Sequence, residues 1–190
     1  NAVESVSVVS AGTTNTIAIA SNADTLTFTG STALNAGTLS NAETINGADA
    51  TGGLTFTNSN SAATVISTGS GADSVTVAAA VGAVLETINL GAGNDTLTFA
   101  GAGDLLRTEV LTGGDGTDTL VAADGDFDET GTFATASTTI TGFEAITVSD
   151  ALASTITLAN IQATGLSTVK LAAGGTGTIN FGAGAAAVNI

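Results

Sequence analysis

The chain of 190 residues lacks Cys, Pro, Met, Trp, Tyr and His altogether. Without Cys and His, thiol nucleophiles, Ser-His-Asp triads and the usual zinc sites are excluded. Basic residues are nearly absent, since two Lys and Arg stand against 17 Asp and Glu, for a net charge of −15. Nucleic acid is excluded as a partner, because phosphates are bound through Lys and Arg. Without disulfides, a secreted form needs another source of stability, such as metal ions.

The hydrophobic residues are spread in a way that is typical of β-strands. They make up 43% of the chain, which argues against disorder despite the acidic composition. They alternate with Thr, Ser and Asn, and no run reaches the ~18 residues of a membrane-spanning helix. The absence of Pro favours a fold in which nearly every strand N–H is hydrogen-bonded. We expect residues 1–190 to be one all-β segment of a longer protein.

The sequence repeats with a period of about 22 residues. Segments 63–77, 85–99 and 109–122 align, and each carries a Gly-x-Gly-x-Asp turn followed by a strand-like stripe. The aligned turn residues are Gly69, Gly71 and Asp73 in the first segment, Gly91, Gly93 and Asp95 in the second, and Gly114, Gly116 and Asp118 in the third.

Each period holds two apolar stripes. One has the form Glu-x-Ile and the other the form Thr-Leu-Thr-Phe. A repeat of this length cannot bury its own stripes and must pack on those of the next copy. The sequence therefore predicts an all-β, parallel β-solenoid (β-helix or β-roll) with coils of about 22 residues. The alternative is an antiparallel β-sandwich, because Asn46-Gly47 is a hairpin signal. We assign Ile45, Ile88 and Ile146 to the first stripe, and Leu26/Phe28, Leu54/Phe56 and Leu97/Phe99 to the second.

The chemistry of the three turns indicates calcium. Ca²⁺ takes six to eight oxygen ligands from carboxylates and carbonyls. Gly permits turns whose carbonyls face one hollow, and the Asp can close it. In a solenoid the three Asp lie on neighbouring coils, where like charges repel unless a cation lies between them. We therefore expect Ca²⁺ at the nine turn residues named above. In the alternative, each Asp only caps its own turn.

A longer spacing between copies indicates an acidic surface insertion at residues 123–142. It contains Asp124, Asp126 and Asp128 at alternate positions. We expect either a solvated acidic loop or a further calcium site there. A complete EF-hand is excluded, because Glu129 stands where its Gly is needed and Thr135 where its final Glu is needed.

One Glu in each of several repeats lies two residues before an apolar residue of the stripe, so it is expected on the same, inward face of the strand. Because a carboxylate inside a thin core is costly unless it is bonded, we place this column of acids at the coil corner. There it would accept turn N–H groups or contact an ion. Its members are Glu4, Glu43, Glu86, Glu109 and Glu144.

The turns resemble a known family. Residues 91–97 match the G-x-G-x-D-x-hydrophobic core of RTX (repeats-in-toxin) calcium-binding β-rolls, 113–120 the fuller G-G-x-G-x-D form, and 69–75 a third copy. The surrounding Thr/Ala/Gly-rich texture resembles the calcium-dependent surface-layer proteins of Gram-negative bacteria and related adhesins. The resemblance implies type I secretion, calcium-triggered folding outside the cell and self-assembly.

We therefore expect a non-enzymatic, calcium-stabilised structural segment of an extracellular surface-layer, matrix or adhesin protein. The expected partners are calcium, flanking repeats or further copies of the chain, and cell-surface polysaccharide. Two alternatives remain open. The segment could be a calcium-dependent secretion and folding module of a secreted enzyme. It could also be an ice-binding solenoid, because outward Thr-x-Thr motifs recur, as at Thr55/Thr57 and Thr96/Thr98.

Overall fold

The computed structural model describes residues 4–19, 22–78, 85–128, 139–158 and 165–180. Most of their strands belong to two sheets, which we name sheet 1 and sheet 2. In spatial order, sheet 1 contains β1 (Ser5–Ser10), β3 (Thr25–Gly30), β5 (Thr44–Asn46), β7 (Val65–Ser67), β9 (Thr87–Asn89), β12 (Val110–Thr112) and β15 (Ile140–Thr141). Named from the opposite end of the stack, sheet 2 contains β18 (Thr168–Ala173), β16 (Ala145–Ala151), β14 (Thr119–Ala122), β11 (Thr96–Phe99), β8 (Ser74–Val77), β6 (Leu54–Asn58), β4 (Leu34–Leu39) and β2 (Asn15–Thr16).

Two small sheets and one short helix complete the described chain. Two pairs of strands form small sheets at the coil corners. These are β10 (Ala92–Gly93) with β13 (Asp115–Gly116), and β17 (Thr155–Thr157) with β19 (Thr178–Asn180). One short helix, α1, spans Asp124–Phe127.

The chain winds as a parallel β-solenoid of about seven turns, with coils about 22 residues apart. Successive strands alternate between the two sheets, and every strand pairing in the described residues is parallel. The predicted fold is therefore confirmed. The antiparallel sandwich is wrong, because the antiparallel contact found in the described ranges is one isolated bridge between Asp128 and Ile156.

The core is a stack of apolar columns between the two sheets. In β11 the side chains of Leu97 and Phe99 are buried, while Thr96 and Thr98 face outward. Phe28 and Phe56 pack across the two sheets with ring centroids 6.4 Å apart. The register aligns Val6, Leu26, Ile45, Ile66, Ile88, Leu111 and Ile140 in sheet 1, and Phe56, Val75, Leu97, Leu120, Ile146 and Val169 in sheet 2.

Two stripe assignments are wrong. Leu26 and Phe28 lie in sheet 1, whereas the similar Leu54 and Phe56 lie in sheet 2. Ile146 lies in sheet 2 as well, paired with Leu120 rather than with the sheet 1 column. The reason is that a Thr-apolar-Thr-apolar stripe fits either sheet equally well. Coil length also varies: it is 19 residues between the bonded Asn22 and Asn41, 23 between Asp95 and Asp118, and 26 between Asp118 and Glu144.

The expected acidic surface insertion at 123–142 is mostly buried, not at the surface, in its first part, residues 124–127. Helix α1 packs against β16 and β17, and Asp124, Asp126 and Phe127 are buried. A Phe with no exposed surface draws the segment against the sheets, and the acids bind backbone N–H groups there. Residues 129–138 lie outside the described residues.

The glycine turns stack so closely that no side chain fits. A Cβ at Gly116 would overlap the carbonyl oxygen of Gly93, and one at Gly93 would overlap that of Gly71. Gly93 and Gly116 also share a φ of 142°, which residues with a side chain rarely adopt. The Gly-x-Gly spacing is therefore required by the approach of one coil to the next.

We predict that Gly116→Ala lowers the free energy of unfolding by at least about 1–3 kcal/mol, because it adds both a strained φ and a backbone clash. Urea unfolding followed by circular dichroism measures this. Gly125→Ala is the matched control, because a Cβ there would meet no atom within 4 Å. It should stay within about 0.5 kcal/mol of the parent. Equal stability of the two variants would contradict this close packing of the glycine turns.

Candidate functional site

The three turn acids stack on consecutive coils and form what we call the aspartate ladder (Asp73, Asp95 and Asp118). Each lies one residue before a strand of sheet 2, namely β8, β11 or β14. The three aspartates are only 3%, 1% and 0% exposed, in chain order. The structure therefore brings together the acids that the repeat predicts.

Hydrogen bonds between coils explain why an acid stands at this position. The N–H of Leu54 donates to Oδ1 of Asp73 at 2.6 Å, that of Asp73 to Asp95 at 2.8 Å, and that of Asp95 to Asp118 at 2.9 Å. Each acid thus satisfies a buried N–H of the preceding coil, which would otherwise be costly. The expected alternative, an Asp that caps only its own turn, is incomplete, because these bonds run between coils.

Sequence reasoning missed a fourth rung. Oε2 of Glu144 accepts the N–H of Asp118 at 2.9 Å, directly in line with the ladder. Glu144 was expected to stack with Glu109, but the pairing of Thr119 with Ala145 places it next to Asp118. The sequence signal was present, because Glu144 also lies one residue before a strand of sheet 2.

The second oxygen is unsatisfied on two of the three ladder acids, whereas Oδ2 of Asp73 accepts the N–H of Gly69 at 3.3 Å. Oδ2 of Asp95 and Oδ2 of Asp118 are buried without a hydrogen-bond partner. A buried polar atom in this state costs about 1–3 kcal/mol, and more when it is charged. Burial, with added repulsion from Asp73 and Asp118, raises the pKa of Asp95 to about 6. Burial also raises the pKa of Asp118, with added repulsion from Glu144 and Asp115.

The predicted glycine ligands lie beside the ladder, but their carbonyls have other partners. The carbonyl of Gly69 accepts the N–H of Ala92 at 2.9 Å, and that of Gly91 accepts the N–H of Asp115 at 3.0 Å. Each carbonyl oxygen keeps a second lone pair for an ion. The turn glycines Gly69, Gly71, Gly91, Gly93, Gly114 and Gly116 therefore serve coil stacking first.

The acids of α1 do not form a shared centre. Asp124 accepts the N–H of Ser154 at 3.1 Å and its hydroxyl at 2.8 Å. Asp126 accepts the N–H groups of Gly103 at 2.6 Å and Ala123 at 3.1 Å. Asp128 is half-buried and begins the bridge to Ile156. Asp124 and Asp126 thus bind different parts of the chain.

A pair of buried glutamates is the other acidic feature, and we call Glu86 and Glu109 the glutamate pair. They are 2% and 0% exposed, whereas Glu4 and Glu43 are exposed. Burial, together with the neighbouring Glu86, raises the pKa of Glu109 to about 10. Glu109 is not a well-formed cap for turn N–H groups: its carboxylate oxygens make no hydrogen bond of normal geometry, although the Glu86 carboxyl and the Leu106 backbone lie near enough to affect its pKa.

In the part of the chain that the structure describes, no three acidic side chains converge in a group that could hold a metal ion. An ion at the ladder would therefore take carboxylates from two neighbouring rungs and complete its shell with other oxygens. The unpartnered Oδ2 atoms of Asp95 and Asp118 fit that role, because they are buried and unsatisfied.

Comparison with known proteins gives no relative. Neither a scan against protein-family models nor searches of curated proteins and of solved structures find a match. Among the described residues, no helix has the length and hydrophobicity to cross a membrane.

We predict that the metal-free protein becomes less stable as the pH rises. A pKa raised by folding means that the folded chain binds the proton more tightly, so the stabilisation is full below the unfolded pKa of about 4. It is lost as the pH rises through about 6 for Asp95 and about 10 for Glu109. Urea unfolding in the presence of a chelator, at constant ionic strength, measures this.

Asp95→Asn provides the control for that experiment. It should remove part of the change between about pH 4 and 6 and leave the change toward pH 10 intact, since Asn does not titrate. Stability that instead rises between about pH 5 and 8, as ordinary paired carboxylates give, would contradict these pKa directions.

Proposed function

We propose that this chain is a calcium-stabilised structural segment of a secreted bacterial surface-layer, matrix or adhesin protein, similar to RTX β-rolls. The observation that carries the proposal is the pair of buried, unpartnered oxygens on Asp95 and Asp118. These atoms lie on consecutive rungs, and in this proposal one ion binds both.

Electrostatics favours a cation between these rungs. Adjacent parallel strands are about 4.8 Å apart. Two unit charges at about 5 Å repel by roughly 3 kcal/mol in a medium of intermediate dielectric constant. An intervening divalent cation turns this repulsion into attraction and also offsets part of the net charge of −15.

The donor set favours calcium over magnesium. Calcium accepts carboxylates and carbonyls in flexible geometry, whereas magnesium demands a near-ideal octahedron. A site built from two rungs of a rigid stack has little freedom to become octahedral. Weak calcium sites suit extracellular modules, where affinities of about 10⁻⁴–10⁻³ M suffice. The extracellular location that we propose therefore requires no tighter site.

Assembly follows from the architecture. In the described chain, sheet 2 ends at β2 and β18. An end strand presents backbone groups that pair with further strands. Flanking repeats or another copy of the chain are therefore the partners we propose, with cell-surface polysaccharide as a further partner. The roles found for the ladder acids are structural, which supports a non-enzymatic segment.

We predict that calcium raises the melting temperature of the chelator-treated chain by about 5–10 °C at saturating concentration. The double variant Asp95→Asn/Asp118→Asn should lose most of this shift. Asn keeps the Oδ1 that accepts the inter-coil N–H but removes the charge from the unpartnered side. Differential scanning calorimetry with and without calcium measures the shift.

Asp49→Asn is the matched control, because Asp49 is exposed and lies off the ladder. It should retain the full calcium response, and magnesium should replace calcium poorly. The proposal would be refuted if calcium did not change the melting temperature of the parent protein, or if the ladder variant kept the full shift.

The outer face of sheet 2 favours a second candidate, ice binding. Its hydroxyl side chains form two columns in strict register. They are Thr55, Ser74, Thr96 and Thr119 in one column, and Thr57, Thr76 and Thr98 in the other. Rungs about 4.8 Å apart and alternate residues about 6.7 Å apart give a flat grid of hydroxyl and methyl groups that can order water.

Thermal hysteresis of the calcium-loaded chain tests this second function. We predict that Thr76→Lys, in the middle of its column, abolishes the hysteresis, because a long charged side chain interrupts the array of hydroxyl groups. Thr87→Lys on sheet 1 is the control, since Thr87 is also exposed but lies off the grid. A parent protein without hysteresis rules the candidate out.

A further inference from the structure

The glutamate pair lies on consecutive coils at sheet 1, not at sheet 2 where the aspartate ladder lies. The pairing of Thr87 with Val110 places Glu86 beside Glu109 in the register. Both residues are almost fully buried. Oε1 of Glu86 and both Oε1 and Oε2 of Glu109 have no hydrogen-bond partner. Three of the four carboxylate oxygens of the pair are therefore unsatisfied.

The surrounding acids cannot relieve the pair. Asp104 and Asp126 add repulsion to Glu86 and Glu109, respectively. Their own carboxylates are engaged, since Oδ2 of Asp104 accepts the N–H of Gly101 at 2.8 Å and Asp126 accepts two N–H groups. The pair therefore faces further negative charge.

The fold itself does not require acids at this position. The preceding rung of the same column holds Thr64, which is buried and donates its hydroxyl to the carbonyl of Ala62 at 3.1 Å. A small polar residue therefore fills the position without any charge. Two successive glutamates carry a large burial cost. Their carboxyl groups lie close enough for one to hydrogen-bond to the other when one is protonated, but such a pair still holds one buried charge.

From this geometry we infer that Glu86 and Glu109 bind one divalent cation, of the calcium class, between the coils of sheet 1. Two carboxylates and one such ion are electrically neutral, which removes the cost of burying the charges. Each carboxylate can supply one or two oxygens, and backbone carbonyls or water complete the shell. This site does not depend on calcium binding at the aspartate ladder.

Counting bound calcium tests the inference. The chelator-treated full chain is dialysed against calcium chloride, and the calcium bound per chain is then measured by elemental mass spectrometry. Glu86→Gln/Glu109→Gln should bind about one ion per chain fewer than the parent, because bidentate anionic ligands are lost. Asp95→Asn/Asp118→Asn should keep that ion. Unchanged calcium content in the glutamate variant would overturn the inference and indicate that the pair shares a proton instead.

This design tests calcium binding at the glutamate pair independently of calcium binding at the ladder. An ion that survives in the ladder variant but not in the glutamate variant supports the pair, whatever the ladder binds. Circular dichroism checks that both variants fold. If the double glutamine variant does not fold, Glu86→Gln alone serves, with at least a roughly tenfold weaker affinity for the ion expected. An unchanged affinity there overturns the inference as well.

Discussion

The parallel hydrogen bonding between successive coils holds each residue beside its counterpart one coil away, and the rest of the structure depends on this register. Apolar side chains therefore stack into columns, and glycines stack on glycines where the backbones approach most closely. Acids stack on acids for the same reason, so that carboxylates far apart in the sequence come to lie side by side and repel each other. The repeat thus produces both the core and its concentrated negative charge.

Much of this architecture could be predicted from the sequence, because period and alternation are local properties. The aligned Gly-x-Gly-x-Asp turns located Asp95 and Asp118 on adjacent coils correctly. The sheet of each stripe could not be predicted, since Leu26 and Leu54 lie in similar Leu-Thr-Phe contexts yet belong to different sheets. Coil length decides between the sheets, and it changes along the chain. The same ambiguity concealed Glu144 as a rung of the ladder.

The candidate site was predictable in position but not in bonding. A carboxylate that caps a neighbouring coil and one that binds an ion require the same residue, so sequence cannot separate the roles. In the structure the two oxygens of one carboxylate differ. Oδ1 of Asp95 accepts a backbone N–H, while its Oδ2 has no hydrogen-bond partner. In the glutamate pair, by contrast, the unsatisfied oxygens outnumber any partnered ones.

The hydrogen bonds of the ladder all point the same way along the chain. The amide of Asp73 donates to Asp95, and the amide of Asp95 donates to Asp118, which lies still later in the sequence. In each of these coils, one turn N–H therefore has its acceptor on the next coil, in addition to the backbone groups that any end strand leaves unpaired. A chain cut after any of these coils would therefore leave a buried turn N–H without its acceptor, so the carboxyl-terminal neighbour of each coil contributes to that coil's own stability.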